Sequence, residues 1–136
     1  MNEKLKNMSV EDRIKFTILC IEKYLSVKYP SKDWTPLFSV MEKLNNTYWD
    51  ESLYSFTDIM PECIVKTPDR PDYNIFMELY KDTENDVSEL LESLEIIVEL
   101  FIYTSMDNFN NNESVRIMEN IIYKYFIENN ISIPEL

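Results

Sequence analysis

Between Asp82 and Glu99 the chain carries seven carboxylates and no base: Asp82, Glu84, Asp86, Glu89, Glu92, Glu95 and Glu99. Carboxylates at that density can hold a divalent cation, work in pairs as general acid and base, or meet the lysines and arginines of a partner. The cation reading fails on spacing. Asp82-x-Glu84-x-Asp86 imitates the first three ligand positions of a calcium loop, but its sixth position is Val87 rather than Gly and its twelfth is Ser93 rather than Glu. Such a loop can neither turn nor close around an ion, so no dedicated metal site is expected. Paired carboxylates serve glycoside hydrolysis, yet with 25 acids in the chain some pairs meet by chance, and pairing alone selects none. Ser31-Lys32, and Thr67 beside Lys66, are hydroxyl–amine neighbours. They become nucleophiles only around a buried lysine, which no pattern here indicates.

Absences narrow the chemistry further. The chain has no His, Gly, Ala or Gln. Codon bias in an AT-rich genome accounts for part of this, but the chemical consequences hold whatever the cause. Without His there is no Ser-His-Asp or Cys-His pair, no H-E-x-x-H zinc site and no imidazole switch. Without Gly there is no phosphate-cradling Walker loop and no dinucleotide fingerprint. Cys20 and Cys63 lack metal or redox spacing and read as reduced, partly buried thiols. No catalytic residue, cofactor or metal is assigned, and the chain is not expected to be an enzyme.

The elements that position these residues read as helices. Ser9 precedes an acidic residue at the third helical position, Asp12, as an N-cap does. Ile14, Ile18, Ile21 and Leu25 follow at 4-3-4 spacing, and Tyr29-Pro30 ends this helix near Lys28. Thr35-Pro36 signals a second start, with Thr35 as cap; Leu37, Val40, Met41 and Leu44 form its apolar face, and Asn45-Asn46 its stop. A third helix is expected from Asp50 to Met60, a short strand is possible at Glu62 to Val65, and Lys66 to Asp72 reads as a loop. A short helix near Asp72 to Tyr80 groups Ile75, Phe76 and Leu79.

The strongest periodicity runs from Asp86 to Met106, where Val87, Leu90, Leu91, Leu94, Ile97, Val98 and Phe101 share one broad face. An Asn-rich loop at Asp107 to Asn111 leads to a last helix capped by Asn112 and reaching Glu128, with Val115, Ile117/Met118, Ile121/Ile122 and Tyr125 apolar. The tail from Ile131 to Pro134 is expected to pack back. The expected architecture is all-α, one single-domain bundle of five to six helices over residues 1–136.

On the Asp86–Met106 helix, Glu89, Glu92, Glu95 and Glu99 form a stripe opposite the apolar face. Acids at i,i+3 and i,i+4 repel by about 0.2–0.5 kcal/mol per pair. Only Asp86 and Glu89 gain from the positive end of the helix dipole. Ile96, Leu100 and Tyr103 project onto the stripe or its edge, an apolar row with an acidic rim, as at the centre of an interface. The alternative is that these three touch another helix and the acids merely solubilise. Tyr48/Trp49 beside Asp50 and Glu51 is either a second such anchor or a seal at the end of the bundle.

The net charge is −12, and nearly all of it lies beyond Asp50, where 5 Lys/Arg face 18 Asp/Glu. Such a field attracts cationic partners and repels nucleic acid and anionic membrane. No apolar run approaches the length that spans a bilayer. The start, MNEKLKNMSV, has no apolar signal region, so a cytoplasmic protein is expected. In length, acidity and helical layout the chain resembles the all-α immunity proteins of bacterial polymorphic toxin systems. That resemblance implies direct binding of a cognate toxin domain, often a nuclease with a basic cleft. The partner-binding residues expected here are Glu89, Glu92, Glu95, Ile96, Glu99, Leu100 and Tyr103, taken from the stripe and not from that family. A DNA-mimicking inhibitor of basic proteins and a carboxylate-dependent enzyme remain as alternatives.

Overall fold

A computed structural model describes residues 2–45, 71–104 and 111–135. Helices α1 (Asn2–Asn7), α2 (Val10–Lys28), α3 (Thr35–Asn45), α4 (Pro71–Glu78), α5 (Asp86–Thr104) and α6 (Asn111–Ile121) follow one another, and α6 runs on into a π-helical stretch at Ile122–Ile127. The expected all-α bundle is what forms; no strand occurs among the described residues. The expected helix at Asp50–Met60, the strand at Glu62–Val65, most of the Lys66–Asp72 loop, and Tyr48/Trp49 lie outside the described residues, as do Cys63 and most of the Asn-rich loop.

Helix α2 is the hub, packed against α3, α5, α6 and the π turn. Its start follows the sequence: Ser9 is extended, at φ −63° and ψ 160°, and its Oγ accepts the Asp12 N–H at 3.1 Å. That contact satisfies one of the four orphan donors of a helix start. Ile14, Ile18, Ile21 and Leu25 are all buried and meet the α5 ridge of Val87, Leu90, Leu91, Leu94, Ile97 and Val98, also buried throughout. The Cys20 thiol lies in this core, where burial pushes it up to about 12 and makes it unreactive.

Three local expectations are corrected. Thr35 does not cap α3: the Trp34 carbonyl accepts from Phe38 N–H at 2.9 Å, so Trp34 holds the cap position, and Asp33 Oδ1 takes the Thr35 N–H at 3.0 Å. An Asp side chain can close such a turn two residues ahead of itself. Helix α4 is rotated from the Ile75/Phe76/Leu79 grouping. Ile75 and Leu79 are exposed, while Tyr73 and Tyr80 are buried and Phe76 is half-buried. Aromatic packing explains the rotation: Tyr80 stacks on Trp34 at 5.0 Å and meets Phe76 edge-on at 5.6 Å, a larger apolar area than two aliphatic residues bury. The last helix stops being α-helical at Ile121. In the wider π turn, Tyr125 and Phe126 are both buried while Tyr123 and Ile127 are exposed.

Helix α1 gave no sequence signal, being only six residues long. It is held by buried Leu5 and by the Arg13 guanidinium, which is only 2% exposed. Arg13 Nε and Nη2 donate to the α1 carbonyls of Leu5 and Lys6, and Nη1 donates to Ser114 Oγ on α6 at 2.8 Å. A cation at the negative end of one helix thus ties three helices together.

Helix α5 begins after a turn that would ordinarily use glycine. Glu84 and Asn85 take φ of 54° and 70°. For a non-Gly residue such as Glu84 this costs on the order of 1–2 kcal/mol. The turn is held by Thr83 Oγ1 donating to the Tyr80 carbonyl at 2.7 Å and by Asp86 N–H donating to the Thr83 carbonyl at 2.9 Å.

Candidate functional site

Helices α5 and α6 lie antiparallel. The Glu89–Lys124 ion pair sits at one end of their contact, and Ser93 and Ile96 of α5 share a groove with Ile117 and Asn120 of α6 further along. The acids of α5 are therefore not one uniform stripe. They divide by what the neighbouring helices offer them.

The first turn is engaged internally. Asp86 Oδ2 accepts the phenol O–H of Tyr24 and of Tyr29, each at 2.7 Å, and the Tyr29 oxygen also lies 3.0 Å from the Thr83 carbonyl. Glu89 Oε2 accepts from Lys124 Nζ at 2.7 Å and from Tyr125 O–H at 2.8 Å. Tyr24 and Tyr125 meet edge-to-face at 4.8 Å, so the two clusters adjoin. Burial, and then the accepting carboxylates, raise the Tyr24, Tyr29 and Tyr125 phenols far above their ordinary range. The Lys124 and Tyr125 hydrogen bonds hold the Glu89 carboxyl below its ordinary value. The calcium-like triplet likewise serves separate partners: Asp82 pairs with Lys32, Asp86 takes the two phenols, and Glu84 occupies the left-handed turn.

The outer part of α5 is different. Glu92 and Glu99 are exposed and make no salt bridge with any described residue. Glu95 is half-buried on the α4 side, where it and Glu92 add to the burial that raises the Tyr73 phenol. Ile96 is 39% exposed and Leu100 is half-buried; the Tyr103 backbone belongs to α5, but its side chain lies outside the described residues. Ile96 opens onto a groove of about 410 Å³ shared with Ser93, Ile117, Asn120 and the Glu113–Arg116 pair.

This arrangement brings Glu92, Ile96 and Glu99 to one outward surface, turns Glu89 toward the π turn and sets Glu95 toward α4. Sequence reasoning missed Lys124, the three tyrosines and Arg13. Only the (i, i+3) spacing of Asp86 and Glu89 in a first turn hinted at a structural duty. Their partners come from α2 and the π turn, 35 to 62 residues away in the chain. Compared with protein-family models, with curated proteins and with solved structures, the chain finds no match in any of the three. No helix among the described residues is long and apolar enough to cross a membrane.

Proposed function

We propose that the chain is a binding module for a basic protein, most specifically an immunity protein that occupies the basic cleft of a cognate toxin domain. One observation carries the reading. Ile96 is an exposed aliphatic side chain that shares a groove with Ile117, framed along α5 by Glu92 and Glu99, which make no salt bridge with a described lysine or arginine. An apolar centre that can be dried, inside an acidic rim, suits a partner surface of lysine and arginine around one apolar side chain. Charge on the rim speeds encounter, and the Ile96 contact slows dissociation. Glu89 takes no direct part, because its carboxylate is already held by Lys124 and Tyr125.

The partner to test is the protein encoded by the neighbouring gene. If that gene encodes no basic toxin domain, the immunity reading is wrong. With such a domain in hand, Ile96→Asp should weaken binding by about 2 kcal/mol or more, the scale of a central interface residue. Ile96 is 39% exposed, so Ile96→Asp should also cost about 1 kcal/mol of stability, and affinity is compared at a temperature where both proteins are folded. Unchanged affinity would remove the groove from the interface. Equal capture of unrelated DNA-binding proteins would mark a mimic of nucleic acid instead.

A further inference from the structure

The π turn carries two large apolar side chains that the fold leaves in water. Tyr123 is 59% and Ile127 53% exposed, both more than Ile96. They continue the α5–α6 groove. Ser93 and Asn120 line that groove, and one turn further along each helix stand Glu89 and Lys124, whose ion pair closes its end. Tyr123 precedes Lys124 in the chain and lies one turn beyond Asn120, so the exposed row begins where the groove stops. Glu128 N–H donates to the Tyr123 carbonyl at 3.1 Å, five residues back. That wide turn sets Ile127 and Glu128 next to Tyr123 on one side of the helix, and all three are exposed.

The backbone under this row is held firmly. Tyr125 and Phe126 are buried on its inner side, and the Asn129 side-chain amide donates to the Lys124 and Tyr125 carbonyls, at 3.2 Å each. A side chain on a fixed backbone loses little freedom when a partner covers it. The surroundings are negative. Lys124 is the one base from Ile122 to Glu128. Its hydrogen bond to Glu89, with the charges of Glu89, Asp86 and Glu128, holds its ammonium above its ordinary value. Three carboxylates thus act on one cation. Asp86 and Glu89 are taken up by their internal partners, whereas Glu128 makes no salt bridge with a described residue. The other exposed aliphatic pair, Ile75 and Leu79 on α4, lacks this setting, because Glu78 between them is paired with Lys81 at 2.7 Å.

We infer that the Tyr123–Ile127–Glu128 row is the second anchor of the surface that receives the basic partner, and that it takes an arginine side chain of that partner. The inference rests on the reading of the α5–α6 groove given above and names what its far end binds. The guanidinium lies on the Tyr123 ring, the aliphatic stem covers Ile127, and the N–H donors reach Glu128. An arginine can stack on a ring and donate to a carboxylate at the same time, which the compact ammonium of lysine cannot do. Tyrosine is among the side chains that most often carry the energy of an interface. An acidic partner is ruled out by the same carboxylates, and a second copy of this chain, at a net charge of −12, would bring like charge to the row.

The test is the affinity of the full chain for the purified basic toxin domain encoded beside its gene, measured by calorimetry with five variants. Tyr123→Ala should weaken binding about tenfold or more. Tyr123→Phe, which keeps the ring, should stay within about twofold, while Tyr123→Leu, which keeps apolar area without a ring, should lose about fivefold. Glu128→Gln should cost about threefold at low salt and less as salt rises. Ile75→Ser, on the α4 row, should change nothing. These side chains are exposed, so circular dichroism should show every variant folded. Full affinity in Tyr123→Leu would overturn the arginine stack, and an equal loss in Ile75→Ser would show that any exposed apolar side chain serves. If Ile96→Asp weakens binding and Tyr123→Ala does not, this inference fails while the groove reading stands. If Tyr123→Ala weakens binding and Ile96→Asp does not, the row is the anchor and the groove is not. A domain that does not bind the unmodified chain overturns both.

Discussion

Asp86 and Glu89 at the start of α5, and Glu92 and Glu99 further along it, are the same chemistry on one helix with opposite duties. The first two face the helix dipole and receive phenols and an ammonium from α2 and the π turn. The other two are exposed and make no salt bridge with a described residue. A carboxylate's role here is decided by what the neighbouring helices bring to it and not by its own spacing. The inner pair joins the fold together, while the outer pair is exposed and makes no salt bridge with a described residue.

The largest effect that can separate the two halves is alkaline. Tyr24 and Tyr125, 3% and 4% exposed, have folded-state values raised above their unfolded value of about 10. Their stabilisation is complete below pH 10. It is lost above it at about 1.4 kcal/mol per pH unit for each phenol, with half-buried Tyr29 adding less. Tyrosinate absorbance at these positions should therefore appear only together with unfolding, followed by circular dichroism. Reversible ionisation in the folded protein would mean that the inner cluster is open.

Next in size is Asp86→Ala, which leaves the buried Tyr24 hydroxyl and the Tyr29 hydroxyl without their shared acceptor. A loss of about 2–3 kcal/mol is expected in urea unfolding. Glu92→Gln and Glu99→Gln should stay within about 0.5 kcal/mol. Equal losses at inner and outer positions would erase the distinction. Glu89→Gln should be intermediate, about 0.5–1 kcal/mol, because the Glu89 and Lys124 side chains are each 48% exposed and water screens their attraction. The lowered Glu89 carboxyl contributes stability that is present above its unfolded value of about 4.3 and lost as pH falls through the folded value. Glu89→Gln should flatten that acid limb.

The apolar side of this organisation was legible in the sequence. Ile14, Ile18, Ile21 and Leu25 on α2, and Val87 to Val98 on α5, follow helical periodicity without interruption, and their burial needs no knowledge of the neighbours. The Ser9 cap was legible for the same reason, since it is satisfied three residues away. The polar pairings were not. Tyr24 with Asp86 and Arg13 with Ser114 join residues 62 and 101 positions apart, and local spacing carries no trace of them. Helix α4 misled because Ile75, Phe76 and Leu79 form a plausible stripe, and only the Trp34 ring tells which side faces in. The outward placing of Glu92, Ile96 and Glu99 was half legible. Periodicity put them opposite the core, but the groove with Ile117 needed the antiparallel register of α6.

The most direct test of the division along α5 is the rate at which a purified basic toxin domain, encoded beside this gene, associates with two variants. Glu92→Lys/Glu99→Lys should lower the association rate about tenfold or more at low ionic strength, with the gap to the unmodified chain narrowing as salt rises toward 0.5 M. Glu89→Gln changes the net charge by one unit against four in the double variant and lies beside Lys124 rather than on the outward surface, so it should lower the rate far less. Unchanged association in the double variant, or a larger loss in Glu89→Gln, would contradict the account.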